Sequence, residues 1–147
     1  MPNWCSNKLY ISHNNTDMIT RFIDAFNRDE TCNEFIPMPE GYKESGEWYE
    51  WSIANWGTKW DIGAARGFCN RTKNCSVECS FLSAWSPPIG LYEMLDNLGF
   101  RVCATYYEPG AAYCGGWSDG EEELFNMDND IPAYIVKDFP ELTDMAS

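Results

Sequence analysis

"CSVECSFLSAWSPPIGLYEMLDNLGFRVCATYYE", Cys75 to Glu108, contains the changes of period on which the fold turns. Its first seven residues alternate, with Cys75, Val77, Cys79 and Phe81 on one side and Ser76, Glu78 and Ser80 on the other, as a half-buried strand requires. The period then lengthens. Ser86 stands at the helix-cap position, Pro87 and Pro88 occupy the first turn, Leu91, Leu95 and Leu98 share a face, and Gly99 ends the helix. From Arg101 alternation returns, with Val102, Ala104 and Tyr106 opposed to Arg101, Cys103, Thr105 and Tyr107.

Upstream, the same order appears again. "NKLYIS" (Asn7–Ser12) predicts a first strand, and Thr16 is the expected cap of an amphipathic helix carrying Ile19, Phe22, Ile23 and Phe26. "KWDIGAARGF" (Lys59–Phe68) places Trp60, Ile62, Ala64 and Phe68 on one face and predicts a second strand, turning through "NRTKN" into the third. Strand, helix, strand, strand, helix, strand is the ferredoxin-like arrangement of the α+β class, an antiparallel sheet with helices on one face. Between the first helix and second strand, residues 34–50 hold two prolines and two glycines without a sustained period, which predicts an inserted loop. A short helix in "EWYEWSIANWG", ended by Gly57, follows it. Beyond Glu108, Pro109-Gly110 and Asp119-Gly120 are turn pairs, so "AAYCGGW" and "EEELFN" extend the sheet as a hairpin. Pro132 opens a further short helix before a fraying end. The expected organisation is one domain over 1–147, with its core at 7–108 and an acidic extension at 109–147.

The charge is uneven. There are 23 acidic and 10 basic side chains, for a net charge of −13; residues 1–92 hold 11 acids and 8 bases, whereas residues 93–147 hold 12 acids and 2 bases. Such a field repels phosphate backbones and attracts basic surfaces. Direct nucleic-acid binding is therefore disfavoured, although Tyr10 and Tyr107 are placed to stack bases on the open face of such a sheet. The odd number of cysteines, seven, lacks the spacing of a disulfide framework and fits reduced thiols. No apolar run reaches the ~18 residues of a membrane span, and the N-terminus lacks a secretory pattern, so a cytoplasmic protein without membrane contact is expected.

Candidate sites are few. "NWGTKWD" (Asn55–Asp61) sets two tryptophans four residues apart, and continuity with Ile62, Ala64 and Phe68 predicts Trp60 in the core and Trp56 at its rim. Lys59 and Asp61 then point to the opposite face, as members of cross-strand pairs. In the alternative, Asn55, Trp56, Lys59, Trp60 and Trp85 line a pocket under the insertion, with Trp48 and Trp51 completing its walls. "AWSPP" is a poor phosphate site because its prolines remove amide donors. His13, the one histidine, has no spacing that marks a catalytic partner. Cys69, Cys75 and Cys79 lack the C-x-x-C spacing of zinc sites, and alternation explains Cys75 and Cys79. No catalytic residue, metal or cofactor is expected.

"MPNWCSN", "FIPMPE", "NWGTKWD", "AWSPP" and "YYEPG", in this order, resemble the YubB-type ferredoxin-like proteins of bacteriophages and plasmids over nearly the whole chain. The resemblance implies the fold reached above and an origin on a bacterial mobile element; it carries over no catalytic residues. The leading functional expectation is a non-enzymatic acidic protein acting on a basic host protein, in its sharpest form as a DNA mimic or counter-defence inhibitor. Asp119, Glu121, Glu122, Glu123, Asp128 and Asp130 would carry the contact. The tryptophan pocket, as a small-ligand binder or enzyme, is the alternative. A structural or assembly protein pairing through a sheet edge is the third reading.

Overall fold

β1 (Trp4–Ser12) is a central strand and buries every second residue, Cys5, Asn7, Leu9 and Ile11, because successive side chains point to opposite faces and one face is packed into the core. In the computed structural model, which describes residues 3–145, it pairs antiparallel with β3 (Ser76–Ala84) and β4 (Arg101–Glu108). β2 (Gly67–Lys73) flanks β3, while β5 (Tyr113–Ser118) and β6 (Glu121–Asn126) continue beyond β4, giving the order β2-β3-β1-β4-β5-β6. Met1 and Pro2 of the opening motif, with Ala146 and Ser147, lie outside the described residues.

α1 (Thr16–Asn27) and α5 (Ile89–Asn97) cover one face, as a ferredoxin-like α+β fold requires. Ile19, Phe22 and Phe26 from α1 and Leu91, Tyr92 and Leu95 from α5 meet Leu9, Ile11, Val77, Phe81 and Val102 in one cluster. Burial of each large apolar side chain contributes about 1.5–3 kcal/mol. Asn15 rather than Thr16 caps α1, its side-chain oxygen accepting the Asp17 N–H at 2.9 Å. At α5 the cap position falls to Pro88, because the Ser86 hydroxyl is turned away to donate to the Gly57 carbonyl. Leu98 follows the last helical residue and is exposed.

Three parts of the chain depart from the periodic reading. The second strand begins at Gly67, not Lys59, because the chain before it is held by side-chain contacts with the segment that follows α1. Thr31 Oγ1 donates to the Ile62 carbonyl at 2.8 Å, and Asp61 turns to the start of α2 (Thr31–Phe35). Only Ile62 of the expected face is fully buried; Ala64 sits in a 3₁₀ turn and Phe68 is 56% exposed on the edge strand. "NRTK" is strand, and the turn falls at Asn74 and Cys75, so Cys75 is exposed rather than inward.

The insertion is largely helical. α3 (Tyr42–Ser45) and α4 (Trp48–Asn55) occupy much of the predicted loop. The tail, too, is packed: α6 (Ala133–Asp138) and α7 (Leu142–Met145) lie on the face opposite α1 and α5, burying Ile135, Phe139 and Leu142 against Tyr107 and Cys114. Tyr107, placed by alternation on an open face, is covered there, its ring 4.9 Å from Phe139. No helix of the described residues is long and apolar enough to cross a membrane.

Candidate functional site

Between the insertion and the strap before β2 lies a cleft of about 560 Å³, lined by Arg28, Asp29, Glu30, Asn33, Met38, Lys43, Trp48, Trp56, Lys59, Trp60 and Asp61. Its floor begins with Trp56. Following α4, this indole is only 5% exposed, donates its Nε1–H to the Ile36 carbonyl at 2.9 Å, and receives Trp51 edge-on at 5.4 Å. Trp60 is half-buried on the rim. The two tryptophans have exchanged the roles that alternation predicts, because Lys59–Gly63 is not a strand and Trp56 is drawn inward by the end of α4.

Asp61 explains the course of the strap. Its Oδ1 accepts the Cys32 and Ile62 N–H groups at 2.6 and 2.8 Å, and its Oδ2 accepts the Asn33 N–H at 2.9 Å. One carboxylate thus satisfies two free donors at the start of α2. Burial pushes its carboxyl above the usual carboxylate range, while the three N–H groups pull the other way. Asp61 therefore holds the cleft wall, not a cross-strand partner.

Lys59 is caged by aromatic rings. Its Nζ lies 4.6 Å from the Trp85 ring centroid, 4.8 Å from Trp60 and 5.6 Å from Tyr49. Arg66 continues the series, 4.7 Å over Trp4 and 5.6 Å over Trp60, so cations and tryptophans alternate along this surface. Trp85 takes part at φ 69°, a left-handed conformation costly for a bulky residue. Its N–H donates to the Asn3 carbonyl at 2.8 Å, and the Tyr113 hydroxyl donates to its own carbonyl at 2.9 Å.

Of the expected pocket residues, Trp56, Lys59 and Trp60 line the cleft together. Trp85 stands on the far side of Lys59. Asn55 faces solvent, its amide donating to Trp51 within α4. Trp48 completes a wall as expected, whereas Trp51 packs behind Trp56. Arg28, Asn33, Met38 and Lys43 were not legible as site residues; the dense aromatic content of the insertion was the one available signal.

The fold can be compared with solved structures. Its Cα trace matches the crystal structure of the Api92 protein from Yersinia pseudotuberculosis, of the family model DUF1281, with a TM-score of 0.56 and 9% identity. The match covers 90% of this chain and 100% of that one. The two share a fold. No family model and no curated protein sequence matches this chain. An Api92-like fold says nothing of ligand or reaction.

The acidic residues meet a different constraint. Glu121, Glu122 and Glu123 are successive residues of β6, so alternation divides them between the two faces of the sheet. Glu122 accepts the Tyr106 hydroxyl on the α5 side, whereas Glu123 faces Tyr134 of α6 at 3.5 Å. Asp119 lies 3.7 Å from Arg101. Asp128 and Asp130 are exposed beyond the strand.

His13 is a structural residue. Nδ1 accepts the Asn15 N–H at 2.9 Å, leaving Nε2 to donate to the Leu98 carbonyl at 2.9 Å. Among the described residues, no group of three or more His, Cys, Asp or Glu side chains is arranged to hold a metal ion.

Proposed function

We propose that the chain binds a small planar molecule carrying an anionic group in the tryptophan-walled cleft. The lining carries three basic and three acidic side chains, and the supporting observation is that two of the basic ones form no ion pair among the described residues. Arg28 is engaged by Glu30 and Glu34, and Asp29 and Asp61 accept backbone N–H groups. Lys43 and Lys59, by contrast, have no ion-pair partner among the described residues. In a chain of net charge −13, a concavity with two unmatched ammonium groups beside indole walls suits an aromatic anion.

The test is tryptophan fluorescence titrated with aromatic carboxylates and with nucleoside monophosphates. At least one class should give saturable quenching, and Lys43→Ala and Lys59→Ala should each weaken it about tenfold, the equivalent of roughly 1.4 kcal/mol. A wholly linear response to every probe would remove this reading.

A second reading keeps the expected basic host protein as partner, in the cytoplasm of a bacterium whose phage or plasmid encodes this YubB-like chain. Its support is that Asp119, Glu121, Glu122, Glu123, Asp128 and Asp130 are all exposed, three of them on an edge strand. Because β6 sends these carboxylates to both faces, the partner would straddle the edge rather than lie on a flat DNA-like row. Host proteins retained by the tagged chain at low salt should be released by Glu121→Gln with Glu123→Gln; unchanged retention would count against it.

A further inference from the structure

We infer that Cys69 and Cys79 form a reversible redox pair, a modification site independent of the cleft, oxidised by a low-molecular-weight disulfide and closed as a cross-strand disulfide. The two residues stand directly opposite each other in the β2–β3 register. Directly opposed residues of an antiparallel pair have Cα atoms about 4.5–5.5 Å apart, inside the roughly 4.4–6.8 Å span that a disulfide bridges. The backbone therefore already holds the spacing that the bond needs.

The environments of the two thiols differ in the way a two-step exchange requires. Cys69 is half-buried at the margin of the main cluster, on an edge strand that has β3 as its one strand neighbour. Cys79 is wholly buried in the cluster beneath α1 and α5. An incoming disulfide can reach the first and not the second. The Cys79 thiol, facing Cys69 across the strand pair, draws the ionisation of Cys69 below the usual thiol range, whereas the neighbouring Cys69 sulfur and then burial hold Cys79 protonated. Cys5 and Cys32 are unsuited to the first attack, their thiols raised by burial.

The chemistry balances with glutathione disulfide as oxidant. The Cys69 thiolate attacks one glutathione sulfur, forming a protein–glutathione disulfide and releasing a glutathione thiolate. The Cys79 sulfur then attacks Cys69 Sγ, the new S–S bond forms, and the second glutathione leaves with the Cys79 proton. Two protein thiols lose two electrons, and one glutathione disulfide becomes two glutathione thiols. Closure ties the exposed edge strand to the core through a covalent link.

The experiment treats the full chain with glutathione disulfide, alkylates the remaining thiols, and digests without reduction using trypsin and a glutamate-specific protease. The second enzyme cuts after Glu78 and so separates Cys75 from Cys79. After denaturation, Cys69 and Cys79 should together be missing from the alkylated cysteines, with residues 67–71 linked to the peptide carrying Cys79, whatever glutathione the exposed Cys75 and Cys103 take up. Cys79→Ser should instead accumulate glutathione on Cys69. The proposal is overturned if Cys69 and Cys79 both remain alkylatable, if Cys69 links to Cys75, or if wild type retains glutathione on Cys69 as Cys79→Ser does.

Discussion

Trp56→Ala lowers the free energy of unfolding by about 3–5 kcal/mol, the range for removing a large aromatic side chain from a core. The side chain is 5% exposed, belongs to the main cluster, and supports Trp51 at 5.4 Å. Its loss also strands the Ile36 carbonyl that accepts the indole N–H. Trp60→Ala, by contrast, should cost about 1 kcal/mol, because that ring sits on the rim and its main partners are the side chains of Lys59, Arg66 and Trp4, contacts that are individually weak near solvent. Urea unfolding of the two variants distinguishes the roles directly. Equal losses, or a larger loss for Trp60→Ala, would restore the assignment that strand alternation predicts.

Gly90→Ala should detach the insertion from the second core helix. Gly90 is the second residue of α5, and a Cβ there would overlap the Asn55 carbonyl at the end of α4 and crowd the Trp56 backbone. The Gly90 N–H donates to the Trp56 carbonyl at 3.0 Å, so the close approach is also a hydrogen bond between the two segments. Because the obstruction is backbone, it cannot swing aside as a side-chain tip would. The expected loss is about 1–3 kcal/mol, together with faster hydrogen exchange across residues 48–60 while β1 and β4 remain protected. Wild-type stability and exchange in this variant would show that α4 and α5 do not approach closely enough for the Gly90–Trp56 hydrogen bond.

The two substitutions mark where sequence reasoning works and where it stops. The alternation of Val77, Cys79 and Phe81 and of Val102, Ala104 and Tyr106 identifies both strands, and the spacing of Leu91 and Leu95 identifies the helix between them, because these side chains face one continuous core. The Asp119-Gly120 turn was equally legible, since both residues take the positive φ that a tight hairpin demands. Lys59–Phe68 misled because alternation does not require a ladder. Its polar backbone groups are satisfied by Thr31 and by side-chain caps from distant elements, and no local pattern records those partners.

The candidate site was half legible. Tryptophan density around residues 48–60 drew attention to the right segment, yet the inward indole is the one expected at the rim. Arg28, Asn33 and Lys43 come from the end of α1, from α2 and from α3, so only their assembly around the strap gives them a common function.

By itself the sequence determined the α+β class, the order of the six principal elements, the hairpin extension and the acidic bias toward the C-terminus. Those properties follow from local periodicity, turn chemistry and summed charge. The tertiary structure alone decided which tryptophan is buried, that Asp61 caps α2, that the tail covers Tyr107, and that β6 divides its glutamates between two faces. Each depends on which distant groups meet, and therefore on packing and hydrogen-bond satisfaction across the whole molecule rather than on the pattern of neighbouring residues.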